Sequence, residues 1–328
     1  LTLLGKASLN CHCCQGETKR FGKFTNRNRV VQRYRCVRCG KTSSESQPLD
    51  GLRVEHEKAI QITKLLAEGL GIRATAGVTG CDPYTVLNVL EVVGSKCEAL
   101  HDRLVRHVST GSIQLDEIWA RVGCSQKLAT LTGSDSERGD FYTYLGVTAR
   151  EKFIVSFRTG KRNFNNTDKF VGDIAKRVDG RIQVTTDSYR PYLQIVRNHL
   201  LERLDYATMQ KIYTIPYDAT GEAARRYSPP QCTGVKVRVR AGAPRKDRIN
   251  TSFVERANLS VRHFNKRFAR LSLGYSRKLE NHRYAVALFV VAYNFCKVHS
   301  TLGCTPAVGL KLATETWTIE RLIEEATK

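Results

Sequence analysis

Apolar positions along this chain change period several times, and each change marks an element. From Glu55, the spacing of Ala59, Ile62, Leu65 and Leu66 predicts a helix that ends at Gly69. Residues 72–78 predict a second, short helix. Thr79-Gly80-Cys81 then reads as a turn, Asp82 as a cap and Pro83 as a first-turn proline, opening a third helix over 84–93. Residues 95–110 read as a polar helix leading to the next region.

There the period falls to two. SIQLDEIWARV reads as a strand ending in an acidic pair, and FYTYLGVTA (141–149) and KFIVSFR (152–158) as two more. Asn166-Thr167-Asp168 caps a helix carrying Phe170, Ile174 and Val178. RIQVTTD (181–187) is a fourth strand terminating at Asp187, a helix follows from Pro191, and YATMQKIY (206–213) is a fifth strand. The order βββαβαβ followed by helices predicts an α/β fold, a mixed sheet with helices on its faces.

Residues 214–250, with Pro216, Gly221, Pro229, Pro230, Gly242, Pro244 and the basic run VKVRVRAGAPRKDR, read as a long insertion with few helix signals. Over 249–271 a helical stripe returns through Phe253, Ala257, Val261, Phe264, Phe268 and Leu271, with Thr251 or Ser252 as its cap. Off that stripe, Glu255 is the sole acid among Arg256, Arg262, Lys266, Arg267 and Arg270. Arg262 follows nearly two turns later on the same face, ~10 Å along the axis. Taken alone, Glu255 reads as half of a surface ion pair. An apolar helix over about 277–298 has too short an apolar run to cross a bilayer. The tail, 301–328, is expected to dock through Trp317, Leu322 and Ile323.

Charge adds a partner. The chain carries 53 basic and 31 acidic residues, a net +22. Residues 1–47 hold ten Lys/Arg against two acids, and residues 236–278 thirteen against two. Two dense basic regions call for a polyanion, most simply nucleic acid. A membrane surface fits less well, because no helix joins strong basicity to an exposed aromatic face.

Eleven cysteines, an odd number, argue for a reducing compartment and for metal rather than disulfides. Cys11, Cys14, Cys36 and Cys39 form two Cys-x2-Cys knuckles that suit one zinc in a ribbon over 1–47. Cys13 is an alternative to Cys14, and a set of free thiols is the plainer alternative to metal. Between the knuckles, KRFGKFTNRNRVVQRYR interleaves basic and aromatic residues, as a β-rich ribbon touching phosphates would. Residues 55–95 fit a helix-turn-helix with Tyr84, Thr85, Asn88 and Glu91 facing bases, although three-helix clusters are also common without DNA.

Asp116 and Asp187 lie at or near predicted strand ends, and Glu255 begins a helix after them. Each alone reads as an ordinary surface acid. Together, in a basic protein, they would hold two magnesium ions for phosphodiester chemistry. TTDSYRPYL, RYSPPQCTG, INTSFVERANLSVRHFNKRFARL, RKLENH and YNFCKVHSTLGCTP resemble the bacterial insertion-sequence-one family of transposases, and QRYRCVRCGKTS resembles that family's N-terminal zinc finger.

The resemblance implies a ribonuclease-H-like catalytic core of DDE type over 110–300. In it Asp116, Asp187 and Glu255 bind magnesium, and Arg262 is the basic partner. It implies that finger and helix-turn-helix recognise transposon ends, with Arg256, Lys266, Arg267 and Arg270 on the DNA. Double-stranded DNA, a second copy of the chain and the bacterial nucleoid in the cytoplasm are the expected partners and place. The competing readings are a catalytically silent DNA-binding regulator and a nuclease without strand transfer.

Overall fold

The computed structural model describes residues 11, 13–14, 16–26, 29–44, 49, 52, 54–214, 231–269 and 272–327. Arg270, Leu271, the stretch of Gln47-Pro48 and Gly51 that reads as a linker between the ribbon and the first helix, and residues 215–230 of the expected insertion lie outside the described residues.

The basic and aromatic segment between the knuckles forms an antiparallel sheet of β1 (Thr18–Asn26), β2 (Arg29–Cys36) and β3 (Thr42–Ser44) in the order β1-β2-β3. Phe21, Phe24 and Val30 are exposed on it. So small a sheet buries too little to hold itself, which leaves the cysteines at its end as the staple.

Three helices follow: α1 (His56–Ala67), α2 (Ile72–Thr79) and α3 (Pro83–Leu104). Asp82 caps α3 as expected, accepting from the Tyr84 amide at 2.7 Å. The separate polar helix expected over 95–110 does not exist. Cys97, Leu100 and His101 prolong the buried stripe of Val86, Val89, Leu90 and Val93, so α3 runs on through Gly94.

Six strands form the main sheet: β4 (Ser112–Val122), β5 (Gly139–Thr148), β6 (Ile154–Gly160), β7 (Ile182–Thr186), β8 (Leu204–Thr214) and β9 (Gln231–Ala241). Their order is β6-β5-β4-β7-β8-β9, with β4, β7 and β8 parallel and the other pairings antiparallel. The fold is thus a mixed α/β structure, as expected. β9 corrects the reading of 214–250. Val235, Val237 and Val239 alternate with Lys236, Arg238 and Arg240, a period of two that makes a strand of the basic run.

Besides the short α4 (Gln126–Leu131), α5 (Phe164–Arg177) and α6 (Arg190–Leu200) cover one face through Phe170, Ile174, Tyr192 and Ile195. On the other, α7 (Ser252–Phe264) and α8 (Leu279–Phe295) pack on Ile118, Leu145, Val147 and Ile154. α5 begins earlier than expected because Asn163 caps it, accepting from the Asn166 amide at 3.0 Å. The helix expected over 249–271 stops at Phe264. Asn265 accepts from the Arg267 amide and turns the chain into a single 3-10 turn. The short α9 (Pro306–Gly309) and α10 (Ile319–Thr327) complete the fold, with Trp317 stacked on Phe295 at 4.4 Å. Among the described residues no helix is long and apolar enough to cross a membrane.

One apolar cluster joins Ile62, Leu66, Val89, Leu90 and Leu100 to Leu288, Val291 and Phe295, so α1–α3 sit directly against α8. At that crossing, a Cβ on Gly94 would lie 2.5 Å from Tyr284 Cβ and 2.6 Å from its carbonyl oxygen. Gly94→Ala would stabilise an exposed helix by about 1 kcal/mol. Here the clash outweighs that gain, and a net loss of about 1–3 kcal/mol is expected in denaturant titration. A stabilised variant would contradict the packing.

Two histidines are buried among apolar groups. Burial lowers His101 to about 4, with Arg177 adding to it, and lowers His282 to about 3. His101 Nε2 donates to Ile154 O at 3.1 Å, whereas neither His282 ring nitrogen has a hydrogen-bond partner among the described residues. Unfolded histidine titrates near 6.5, so below that pH the unfolded chain takes up protons that the fold refuses. Stability therefore falls as pH falls from 6.5, by about 2 kcal/mol per histidine at pH 5. His282→Leu is expected to recover about 2 kcal/mol of the wild-type loss between pH 7 and pH 5. An identical loss in the variant would contradict a neutral His282.

Candidate active site

The cysteines come together as the knuckle spacing requires. Cys11 Sγ lies 3.6 Å from Cys39 Sγ and Cys14 Sγ 3.5 Å from Cys36 Sγ, and all four lie within 4.8 Å of one another. A tetrahedral ion at ~2.3 Å from each sulfur needs edges of ~3.8 Å, so the four could hold one metal ion. The Cys39 amide foremost, at 3.5 Å, and the Arg38 amide, at 3.3 Å, point at Cys36 Sγ. They lower that thiol to about 6, favouring the thiolate a metal takes. Cys13 stays outside the cluster, exposed, and receives a hydrogen bond from Lys41 Nζ at 3.1 Å. Cys14 is therefore the fourth member.

The acids are placed by strand register. β4 and β7 run parallel, with Leu115 opposite Thr186, and β7 ends there. Asp187 is the next residue, which sets it beside Asp116. Asp116 is not at a strand end as expected but inside β4, which continues to Val122. It is the neighbouring strand that stops. Beyond that stop, Asp116 and Glu117 stay paired with Leu145 and Tyr144 of β5 on one edge and face an opening on the other.

Successive residues of a strand point to opposite faces. Asp116 turns toward α7, where Asn258 Nδ2 donates to its Oδ2 at 2.8 Å. Glu117 turns toward α6, its side chain 2% exposed, and accepts from Arg162 Nε at 3.2 Å. Asp187 accepts from the Tyr189 amide at 2.9 Å, and its Oδ2 lies 3.7 Å from Arg162 Nη2. Arg162 is also stacked on Tyr189, 3.9 Å from the ring centre.

Glu255 enters from α7. Gln114, two residues before Asp116 on the same face of β4, accepts from the Phe253 and Val254 amides at 2.9 and 3.0 Å. It caps α7 from outside, the job expected of Thr251 or Ser252. Thr251 instead donates its hydroxyl to Glu255 Oε1 at 2.7 Å, and Lys211 pairs with Glu255 Oε2. Asp116, Asp187 and Glu255 line one cavity of about 510 Å³, with Arg162, Arg190 and Lys211 among its other walls.

Burial foremost, then the charges of Asp187 and Glu255, push Asp116 up to about 6. Burial likewise pushes Glu117 up to about 7, with Asp187 adding to it against the pull of Tyr192 and Arg162. Carboxylates so crowded are costly as anions and are relieved by a cation. Ligand oxygens of Asp116, Glu117 and Asp187 lie within 4.8 Å of one another, so this group could bind a divalent cation. Glu117, Arg162, Lys211 and Gln114 were not marked by the sequence as site residues. The acidic pair was visible, but strict alternation sends Glu117 to the far face. Only the end of β7 brings it back.

The remaining candidates are scattered. Arg262 is half-buried, two turns along α7, and outside the lining of that cavity. Arg256 and Lys266 are exposed. Arg267 Nε donates to Ser276 Oγ at 2.8 Å, and burial lowers its guanidinium to about 10. On α3, Tyr84 is 77% exposed and Asn88 and Glu91 are exposed beside it, while Thr85 is half-buried. No protein-family model and no curated protein matches the chain.

Proposed function

We propose that the chain is a DNA transposase of DDE type, with a ribonuclease-H-like core, a zinc ribbon and a helix-turn-helix. What carries this reading is the register that sets Asp187 beside Asp116 in one cavity with Glu255, walled by Arg162, Arg190 and Lys211. Carboxylates gathered among cations suit a phosphodiester brought to bound metal.

Asp116, Asp187 and Glu255 would hold magnesium, which supplies Lewis acidity and a readied hydroxyl for in-line attack. Water is the first nucleophile and the freed 3′-hydroxyl the second. Arg162, Arg190 and Lys211 hold the strand's phosphates in the cavity, and Arg262 holds backbone further along α7. The zinc ribbon lays its basic strands on the duplex. α3 presents Tyr84 and Asn88 to the major groove, between α1–α2 and the core. Action on a bacterial nucleoid, by more than one copy of the chain, is what the resemblance to insertion-sequence-one transposases implies.

A silent DNA-binding regulator would use the ribbon and α3 and leave the acids idle. The test is duplex DNA taken from either side of the coding region, against scrambled duplex. The account expects preferential binding and magnesium-dependent nicking. Binding without nicking would favour the regulator. Asn88→Ala is expected to narrow the preference by about 1–3 kcal/mol while leaving nicking of bound DNA intact. An unchanged preference would remove α3 from base recognition.

A further inference from the structure

We infer that Glu117 is a ligand of the divalent cation, and that Asp116, Glu117 and Asp187 form a cation site complete without Glu255. The inference deepens the reading of this cavity as a metal-dependent site and rests on it. Three observations carry it.

The first is proximity. Ligand oxygens from these three acids lie within 4.8 Å of one another. An octahedral ion with oxygens at ~2.1 Å sets adjacent ligands ~3.0 Å apart and opposite ones ~4.2 Å apart, so side-chain rotations closing up to ~2 Å complete the set. Glu255 is committed elsewhere, to Lys211 and the Thr251 hydroxyl.

The second is an unmet charge. The Glu117 side chain is 2% exposed, and its Oε1 is buried outside hydrogen-bond distance of any donor among the described residues, although the buried Tyr192 hydroxyl, also unpartnered, is near enough to pull on the carboxyl. Arg162 engages only Oε2. A counter-ion role for Glu117 would use one oxygen and leave the other at a cost of several kcal/mol. A glutamine or an apolar residue would fill the place more cheaply, unless a cation meets that oxygen.

The third is topology. β7 stops opposite Leu115, so a side chain from either face of β4 at positions 116 and 117 reaches the same opening beside Asp187. Asn258 then fixes Asp116 from the α7 side and Arg162 fixes Glu117 from the other. The site is assembled around the end of a strand, with one arm through each face of the sheet.

The experiment titrates the full-length, zinc-loaded chain with manganese(II) alone, following free ion by its electron paramagnetic resonance signal. Glu117→Gln and Asp187→Asn are each expected to weaken the tightest binding by about tenfold or more. Glu255→Gln is expected to leave that tightest site unchanged, because Glu255 serves the second of the two magnesium ions. Wild-type affinity in Glu117→Gln would overturn the assignment, as would a Glu255→Gln loss equal to that of Asp187→Asn or a wild type that binds no manganese. Should Glu117→Gln fail to fold, Glu117→Asp keeps the charge and withdraws it by one methylene. Weaker binding is expected there, and unchanged binding overturns the inference. Loss of DNA nicking with this binding pattern intact would instead remove the transposase reading and leave Glu117 in place.

Discussion

Asp116→Asn and Asp187→Asn are each expected to reduce magnesium-dependent nicking by about a thousandfold or more, since the metal contributes several kcal/mol to such a reaction. An amide is a poor ligand for a hard cation, and both residues sit where β7 ends and the cavity begins. DNA binding should survive, because the proposed reading assigns it to the ribbon and α3. Stability should move the opposite way to activity in Asp116→Asn. Without metal, burial holds Asp116 at about 6 against an ordinary 3.8, so at pH 7 its charge costs about 3 kcal/mol. Replacing it with an amide, which can still accept from Asn258, should raise unfolding stability by about 1–3 kcal/mol in chelator. A variant at once dead and more stable is the signature of a strained functional acid. A variant both dead and destabilised would point instead to collapse of the site.

The second large effect concerns the ribbon. Cys36→Ser combined with Cys39→Ser is expected to abolish metal binding by the N-terminal segment, measured as zinc per chain by atomic absorption. Structural zinc contributes about 10–16 kcal/mol in small fingers, far more than a three-stranded sheet with exposed Phe21 and Phe24 can replace. DNA affinity should fall, and its log–log salt slope should lose about 0.9 for each phosphate the ribbon contacts. The main core should unfold as in wild type, since neither Cys36 nor Cys39 belongs to the apolar clusters there. Cys13→Ser should keep its zinc, because Cys13 pairs with Lys41 outside the cluster. Retention of zinc in the double variant, or its loss in Cys13→Ser, would move the ligand set.

Hydrophobic patterning made most of the elements legible, because most helices bury a single face and the central strands, covered on both faces, stand out as short apolar runs. β4 to β8 and the first turns of α3 and α7 all follow from it. It failed where burial was not the cause. β9 lies at the edge of the sheet, with Val235 49% exposed, so its alternation reads as a basic run. α7 ends because the Asn265 side chain takes the Arg267 amide, an event no stripe records. Asp116 and Asp187 were visible from their strands and Glu255 from its isolation among arginines. Glu117 was hidden because its place depends on where another strand stops. Gln114, buried at 1% exposure, serves backbone amides of a helix more than a hundred residues away. Only the fold brings those groups together.

The most direct measurement is a joining assay. A duplex from the end of the coding element's flanking DNA, already cut to expose its 3′-hydroxyl, is incubated with supercoiled plasmid, magnesium and the full-length chain. The account expects covalent joining of that 3′ end to plasmid, absent with Asp187→Asn and absent in calcium. Joining by Asp187→Asn at the wild-type rate, or a wild type that binds and nicks the end yet never joins it, would contradict the account.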